Sequence, residues 1–151
     1  YWPQLFLGIT FNYGLILGWT AIRGEIDIMP ILFYLGAIFW TLGYDTIYGY
    51  QDIKDDEIIG LKSTSIKFKG NEKKFLFICY SFLTTLFLIG GYSMKFNNLF
   101  YFLAIAPFLH LFFYQIKNFE SKDPKNCLKI FKSNNLFGLI ILLNILVVKN
   151  I

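Results

Sequence analysis

The chain has 151 residues, 56% of them hydrophobic and 21% aromatic, with 18 Phe, 16% charged residues and a mean hydropathy of +0.51. Soluble domains are nearer ~45–50% apolar and about 25% charged, so the composition argues against a soluble globular domain and for membrane spans. The net charge of +4 sits on basic residues between apolar runs, a membrane pattern rather than a nucleic-acid footprint, and the isolated Cys79 and Cys127 offer no zinc or disulfide spacing.

The opening YWPQLFLG has neither a charged leader region nor a small-residue cleavage site, and it reads as the interior of a longer protein. A spanning helix needs about 20 largely apolar residues. The first candidate is Leu5 to Ile22, where Gly8, Gly14 and Gly18 allow close helix approach. After a polar connection from Arg23 to Asp27, the second runs from Ile28 to about Tyr48, with Pro30 tolerated near its start. The third is Phe75 to Tyr92. The fourth is Leu99 to Ile116, where Pro107 is expected to kink the helix. The fifth, Leu136 to Val148, is short for a full span unless it begins near Ile130. The fold class expected is therefore all-α, a polytopic transmembrane helical bundle.

Lysines set the expected orientation. Lys54, Lys62, Lys67, Lys69, Lys73 and Lys74 lie between the second and third spans, and Lys117, Lys122, Lys125, Lys129 and Lys132 between the fourth and fifth. The two connections on the other side hold Arg23 and Lys95. The positive-inside bias puts the lysine-rich connections on the cytoplasmic side, in a bacterial inner membrane or its mitochondrial equivalent.

Half of the ten acidic residues crowd into one stretch, YDTIYGYQDIKDDEIIGLKSTS, as Asp45, Asp52, Asp55, Asp56 and Glu57. Asp45, Asp52 and Asp56 are spaced i, i+7, i+11, which puts them on one stripe of a continuous helix. Like charges one turn apart repel, and carboxylates at a membrane boundary are costly, so the pattern calls for a compensating cation. Hard oxygen ligands suit Mg²⁺, which is held by one or two carboxylates plus substrate phosphates. Lys62 and Lys67 could then meet phosphate oxygens, and Tyr48, one turn after Asp45, could hydrogen-bond within the cluster. Spacing alone also admits a solvated loop, the preferred reading for Asp55 and Glu57. Lys69, Lys73 and Lys74 read as topology signals.

The stretch resembles the second aspartate-rich motif of the UbiA family of membrane prenyltransferases, approximately YDTxYAxxDxxDDxxxGIKST. Tyr44, Asp45, Thr46, Tyr48, Asp52, Asp55, Asp56, Gly60, Lys62, Ser63 and Thr64 match it. WPQLFLGITFNYG resembles the family's PQxxLGxxFxxG stretch, so the likeness covers Trp2 to about Lys69 in detail. Gly49 replaces the usual alanine and Leu61 an isoleucine, and no carboxylate is lost. The family's first aspartate-rich motif, NDxxDxxxD, does not occur before Asp45. The resemblance implies nine spans in a whole protein of which residues 1–151 are the C-terminal half, with the first motif on the other half or on a separate chain.

What the resemblance implies is Mg²⁺-dependent transfer of a polyprenyl group from polyprenyl diphosphate to an aromatic ring, 4-hydroxybenzoate, ortho to its hydroxyl, as in ubiquinone biosynthesis. Asp45, Asp52 and Asp56 would be the catalytic and metal-binding set, and Lys62, Tyr48 and Lys67 the substrate-binding one. The lipid chain would lie between helices, with membrane lipid as neighbour. Tyr34, Trp40, Tyr44 and Tyr48 are candidates to face an allylic cation, against an ordinary packing role for each. His110, Asn12 and Gln115 read as helix-packing polar groups. The alternatives are a non-catalytic membrane remnant or subunit, a prenyltransferase acting on another aromatic acceptor, or an ion transporter using intramembrane carboxylates.

Overall fold

Proline, polar pairs and capping side chains cut the apolar runs into helices, as the computed structural model, which describes residues 1–149, shows. Helix α1 (Pro3–Phe11) starts with proline in its first turn, where a missing N–H costs nothing. It yields to α2 (Gly14–Arg23) across Asn12 and Tyr13. Asp27 caps α3 (Ile28–Gly49) by accepting from the Ile28 amide. Two short helices follow, α4 (Ile53–Ile58) and α5 (Thr64–Lys67), then the long α6 (Glu72–Ser93). Helix α7 (Asn98–Leu109) contains Pro107 and passes into π-helical turns over His110–Ile116. Helices α8 (Pro124–Lys132) and α9 (Asn134–Lys149) complete the order. The described residues contain no strand.

Five continuous stretches are long and apolar enough to cross a membrane: Pro3–Arg23, Ile28–Gly49, Glu72–Ser93, Asn98–Ile116 and Pro124–Val148. At 1.5 Å per residue, the 22 residues of α3 reach about 33 Å, enough for a hydrocarbon core of about 30 Å. The protein is a multi-pass membrane bundle of α-helices. The fifth span differs from the sequence expectation. It begins at Pro124, because Asp123 caps α8 through the Lys125 amide (2.9 Å) and Pro124 opens its first turn. Lys125, Lys129 and Lys132 therefore lie on a helix, exposed on it, while Cys127 and Ile130 point inward.

The centre of the bundle is the α3–α6 contact. The two helices approach closely at Gly43, where an added Cβ would stand 2.6 Å from Cε1 of the fully buried Tyr80 ring. Polar side chains cross-link the remaining spans. Tyr80 donates to Gln115 Oε1 (2.6 Å), and Gln115 Nε2 donates to Ser133 Oγ (3.0 Å) and Asn134 Oδ1 (3.1 Å). Trp40 Nε1 donates to the same Asn134 oxygen (2.9 Å), and His110 Nε2 lies 3.2 Å from Ser133 Oγ. Asn12 Nδ2 donates to Thr41 Oγ1 (2.8 Å) across α1 and α3. His110, Asn12 and Gln115 are thus interhelical packing groups. Pro107 withdraws a donor from its helix, and the wider π turns beyond it carry His110 and Gln115 to the α8–α9 junction.

Candidate functional site

Both lysine-rich connections gather at one end of the bundle. Lys73 Nζ donates to the Lys117 carbonyl (3.0 Å), and Ser121 Oγ donates to Glu72 Oε1 (2.9 Å). The acidic stretch lies at this end.

The continuous carboxylate stripe is not what forms. Helix α3 stops at Gly49, where the Tyr50 amide turns to the Ile47 carbonyl (3.2 Å) and the Gln51 amide to the Tyr48 carbonyl (2.9 Å). Asp45 stays on α3, half-buried, in the last turns of a membrane span. Asp52 starts a separate helix, its carbonyl accepting from the Asp55 (3.0 Å) and Asp56 (3.1 Å) amides. So Asp52 and Asp56 keep their one-turn spacing, while Asp45 stays behind on α3, and the three do not converge into one group. Asp52 stands at the N-cap of α4, yet its carboxylate makes no capping bond. An aspartate at that position ordinarily spends its oxygens on the first-turn amides. Among the described residues, Asp45, Asp52 and Asp56 make no ion pair and no side-chain hydrogen bond.

A cavity of about 550 Å³ opens at this end, between α4 and the connection leading to α8. Asp52, Asp55, Lys54, Lys69, Glu72 and Lys122 border it, whereas Asp45, Asp56, Lys62 and Lys67 do not. Tyr50 and Gln51 also border it, and neither was singled out by the sequence pattern. Tyr50 is 2% exposed and packs edge-on against Phe119. Burial, then the charge of Glu72 and the neighbouring Cys127, push its phenol well above the usual tyrosine range, and its buried hydroxyl has no hydrogen-bond partner among the described residues. Asp55 and Glu57 are exposed, and Glu57 pairs with Lys69 Nζ at 2.6 Å.

Lys62 and Lys67 are exposed and turn toward N-terminal aromatics. Lys62 Nζ lies 5.8 Å from the Tyr1 ring centre, and Lys67 Nζ 4.4 Å from that of Trp2. Tyr48 makes no hydrogen bond to Asp45, and its ring packs on Phe131 at 4.9 Å. With Tyr44 (5.7 Å from Phe131), Trp40 (5.3 Å from Tyr44) and Phe137 (4.9 Å from Trp40) it forms an aromatic ladder that climbs α3 toward the carboxylates. Tyr34 lies outside it, donating to the Ile9 carbonyl at 2.7 Å. Phe131 escaped the sequence reading because α8 looked like a basic loop.

Residues 1–141 match the UbiA prenyltransferase family. The chain belongs to the UbiA prenyltransferase family. Among relatives of this UbiA chain, the mitochondrial 4-hydroxybenzoate polyprenyltransferase of Bos taurus is 43% identical over 96% of the chain and 39% of that protein. The Homo sapiens protein of the same name is 42% identical with the same coverage, and that of Dictyostelium discoideum 37% identical over 99% of the chain and 32% of its own length. The chain thus spans about two fifths or less of these relatives. No solved structure matches it.

UbiA prenyltransferases generally use a divalent metal, and the donors at the lysine-rich end suit one in part. No group of three or more His, Cys, Asp or Glu side chains converges among the described residues. Asp52 and Asp56 are two hard oxygen donors whose carboxylates are not already spent on protein partners. Two carboxylates with waters and phosphate oxygens make a complete shell for an ion such as Mg²⁺, so these residues fit as its protein share.

Proposed function

We propose that this chain is the C-terminal half of a membrane prenyltransferase that moves a polyprenyl group from polyprenyl diphosphate to 4-hydroxybenzoate, ortho to the hydroxyl, in ubiquinone biosynthesis. The observation that carries the reading is the unspent pair Asp52 and Asp56, one turn apart at the lysine-rich end of the bundle. The names of the relatives support the donor and acceptor classes.

Asp52 and Asp56 would hold the metal, and Asp45, in the last turns of α3, is the third candidate for that role. A bound Mg²⁺ supplies charge neutralisation that makes diphosphate a better leaving group. Lys62 and Lys67 leave their aromatic neighbours to meet non-bridging phosphate oxygens. The allylic C–O bond breaks and its electron pair departs on the diphosphate. The electron-rich ring carbon attacks the resulting cation-like carbon, and the ring then loses its proton. The faces of Tyr44, Tyr48 and Phe131 stabilise the positive charge by the attraction that aromatic rings exert on ammonium groups. The apolar bundle keeps water from the cation, and the lipid chain lies among the helices.

In the full-length protein, Asp52→Ala and Asp56→Ala should each lower prenyl transfer on the order of 10²-fold or more, with unchanged membrane abundance. Wild-type rates in both variants would contradict the reading.

A further inference from the structure

The segment that carries Lys62 and Lys67 has little structure of its own. Residues 61–63 are in neither helix nor turn, and α5 is a single turn. Yet Thr64 and Ser65 are fully buried. Four side chains account for that. The Thr64 amide donates to Gln4 Oε1 on α1 (3.1 Å), and Gln4 is itself 7% exposed. The Thr64 hydroxyl shares a hydrogen bond of 2.6 Å with that of Thr46 on α3. Ser65 Oγ donates to the Thr46 carbonyl (2.9 Å), the carbonyl that the Tyr50 amide passes over for Ile47. Gly49 makes the room: an added Cβ there would overlap the Ser65 hydroxyl oxygen but stand 3.4 Å from Ser65 Cβ, an ordinary contact.

We infer that Gln4, Thr46, Thr64 and Ser65 form a buried clamp that positions Lys62 and Lys67 for the diphosphate, and that Gly49 and Ser65 act as a matched pair within it. This rests on the prenyl-transfer reading above. None of the four touches substrate; they are positioning residues, acting through the two lysines. The clamp ties the PQLFLG stretch of α1 to the KSTS segment, 60 residues away in sequence. It also gives Gly49 a role, because a side chain there would push the Ser65 hydroxyl off its bond to the Thr46 carbonyl.

The test uses the full-length protein in membranes or detergent, with two readouts. One is the KM for polyprenyl diphosphate, compared with kcat and the acceptor KM. The other is amide hydrogen exchange over residues 60–68. Gln4→Leu should raise the diphosphate KM about tenfold while kcat and the acceptor KM stay within about threefold, and should speed exchange at Thr64. Gly49→Ala should do the same, and adding Ser65→Ala should return the diphosphate KM to within about threefold of wild type. Unchanged exchange in Gln4→Leu overturns the clamp whatever the activity. Faster exchange without the KM split overturns the positioning role, as does a double variant no better than Gly49→Ala. A wild-type protein without prenyl transfer contradicts the functional reading alone, and hydrogen exchange still decides the clamp.

Discussion

At the scale of single residues, the polar groups inside the bundle fall into two kinds. Gln115 is fully buried and uses both ends of its amide, accepting from Tyr80 and donating to Ser133 and Asn134. Such groups join helices. Replacing Gln115 with leucine leaves the buried Tyr80 hydroxyl without its acceptor, and the loss should be about 1–2 kcal/mol. Thermal unfolding in detergent checks this, and an unchanged midpoint would show that the network contributes nothing to stability. Asp52 is of the other kind. It occupies a capping position without capping, so its carboxylate is available for a partner outside the chain. The identity of these residues was legible in the sequence, because a carboxylate or an amide in an apolar chain is conspicuous. Their geometry was not. Periodicity carries Asp45, Asp52 and Asp56 along one helix, and nothing in the spacing reveals that α3 stops at Gly49, where the Thr46 carbonyl accepts from the Ser65 hydroxyl and the Tyr50 amide turns to Ile47.

At the scale of elements, the second, third and fourth spans matched their apolar runs to within a few residues, because run length and hydropathy decide a membrane helix directly. The first span, Pro3–Arg23, also matched its run, with a turn at Asn12 and Tyr13 between α1 and α2, whereas the fifth began 12 residues early, at Pro124 rather than Leu136. The reason for that difference is physical. Lys125, Lys129 and Lys132 recur at i, i+4, i+7, one face of an amphipathic helix, while Cys127 and Ile130 face inward. Counted as composition, those lysines describe a loop; taken with their period, and with Asp-Pro before them, they describe α8. The element order also has a consequence for topology. The lysine-rich connections share one end of the bundle, bonded through Lys73 to Lys117 and through Ser121 to Glu72. Single cysteines at Lys54 and Lys122, in a background lacking Cys79 and Cys127, should therefore react with an impermeant maleimide from the same side of sealed vesicles. A cysteine at Lys95 should react only from the opposite side. Labelling of positions 54 and 122 from different sides would refute the arrangement.

At the scale of the whole molecule, the family and the helical bundle follow from the chain itself, and what the bundle does is a matter of what it works with. One end concentrates carboxylates and lysines, and an aromatic ladder of Trp40, Tyr44, Tyr48, Phe131 and Phe137 runs from there along α3. A polar end beside packed aromatic rings suits the proposed substrate, an amphiphile with a diphosphate head and a long isoprenoid tail. The chain covers 39% of the length of its bovine and human relatives. The most direct measurement supplies the full-length protein in membranes with polyprenyl diphosphate and labelled 4-hydroxybenzoate, and follows product by mass. The account predicts a polyprenylated 4-hydroxybenzoate that forms with Mg²⁺, ceases on chelation and returns when Mg²⁺ is restored. Absence of prenylated product under all these conditions, from protein that is folded and inserted, would contradict it.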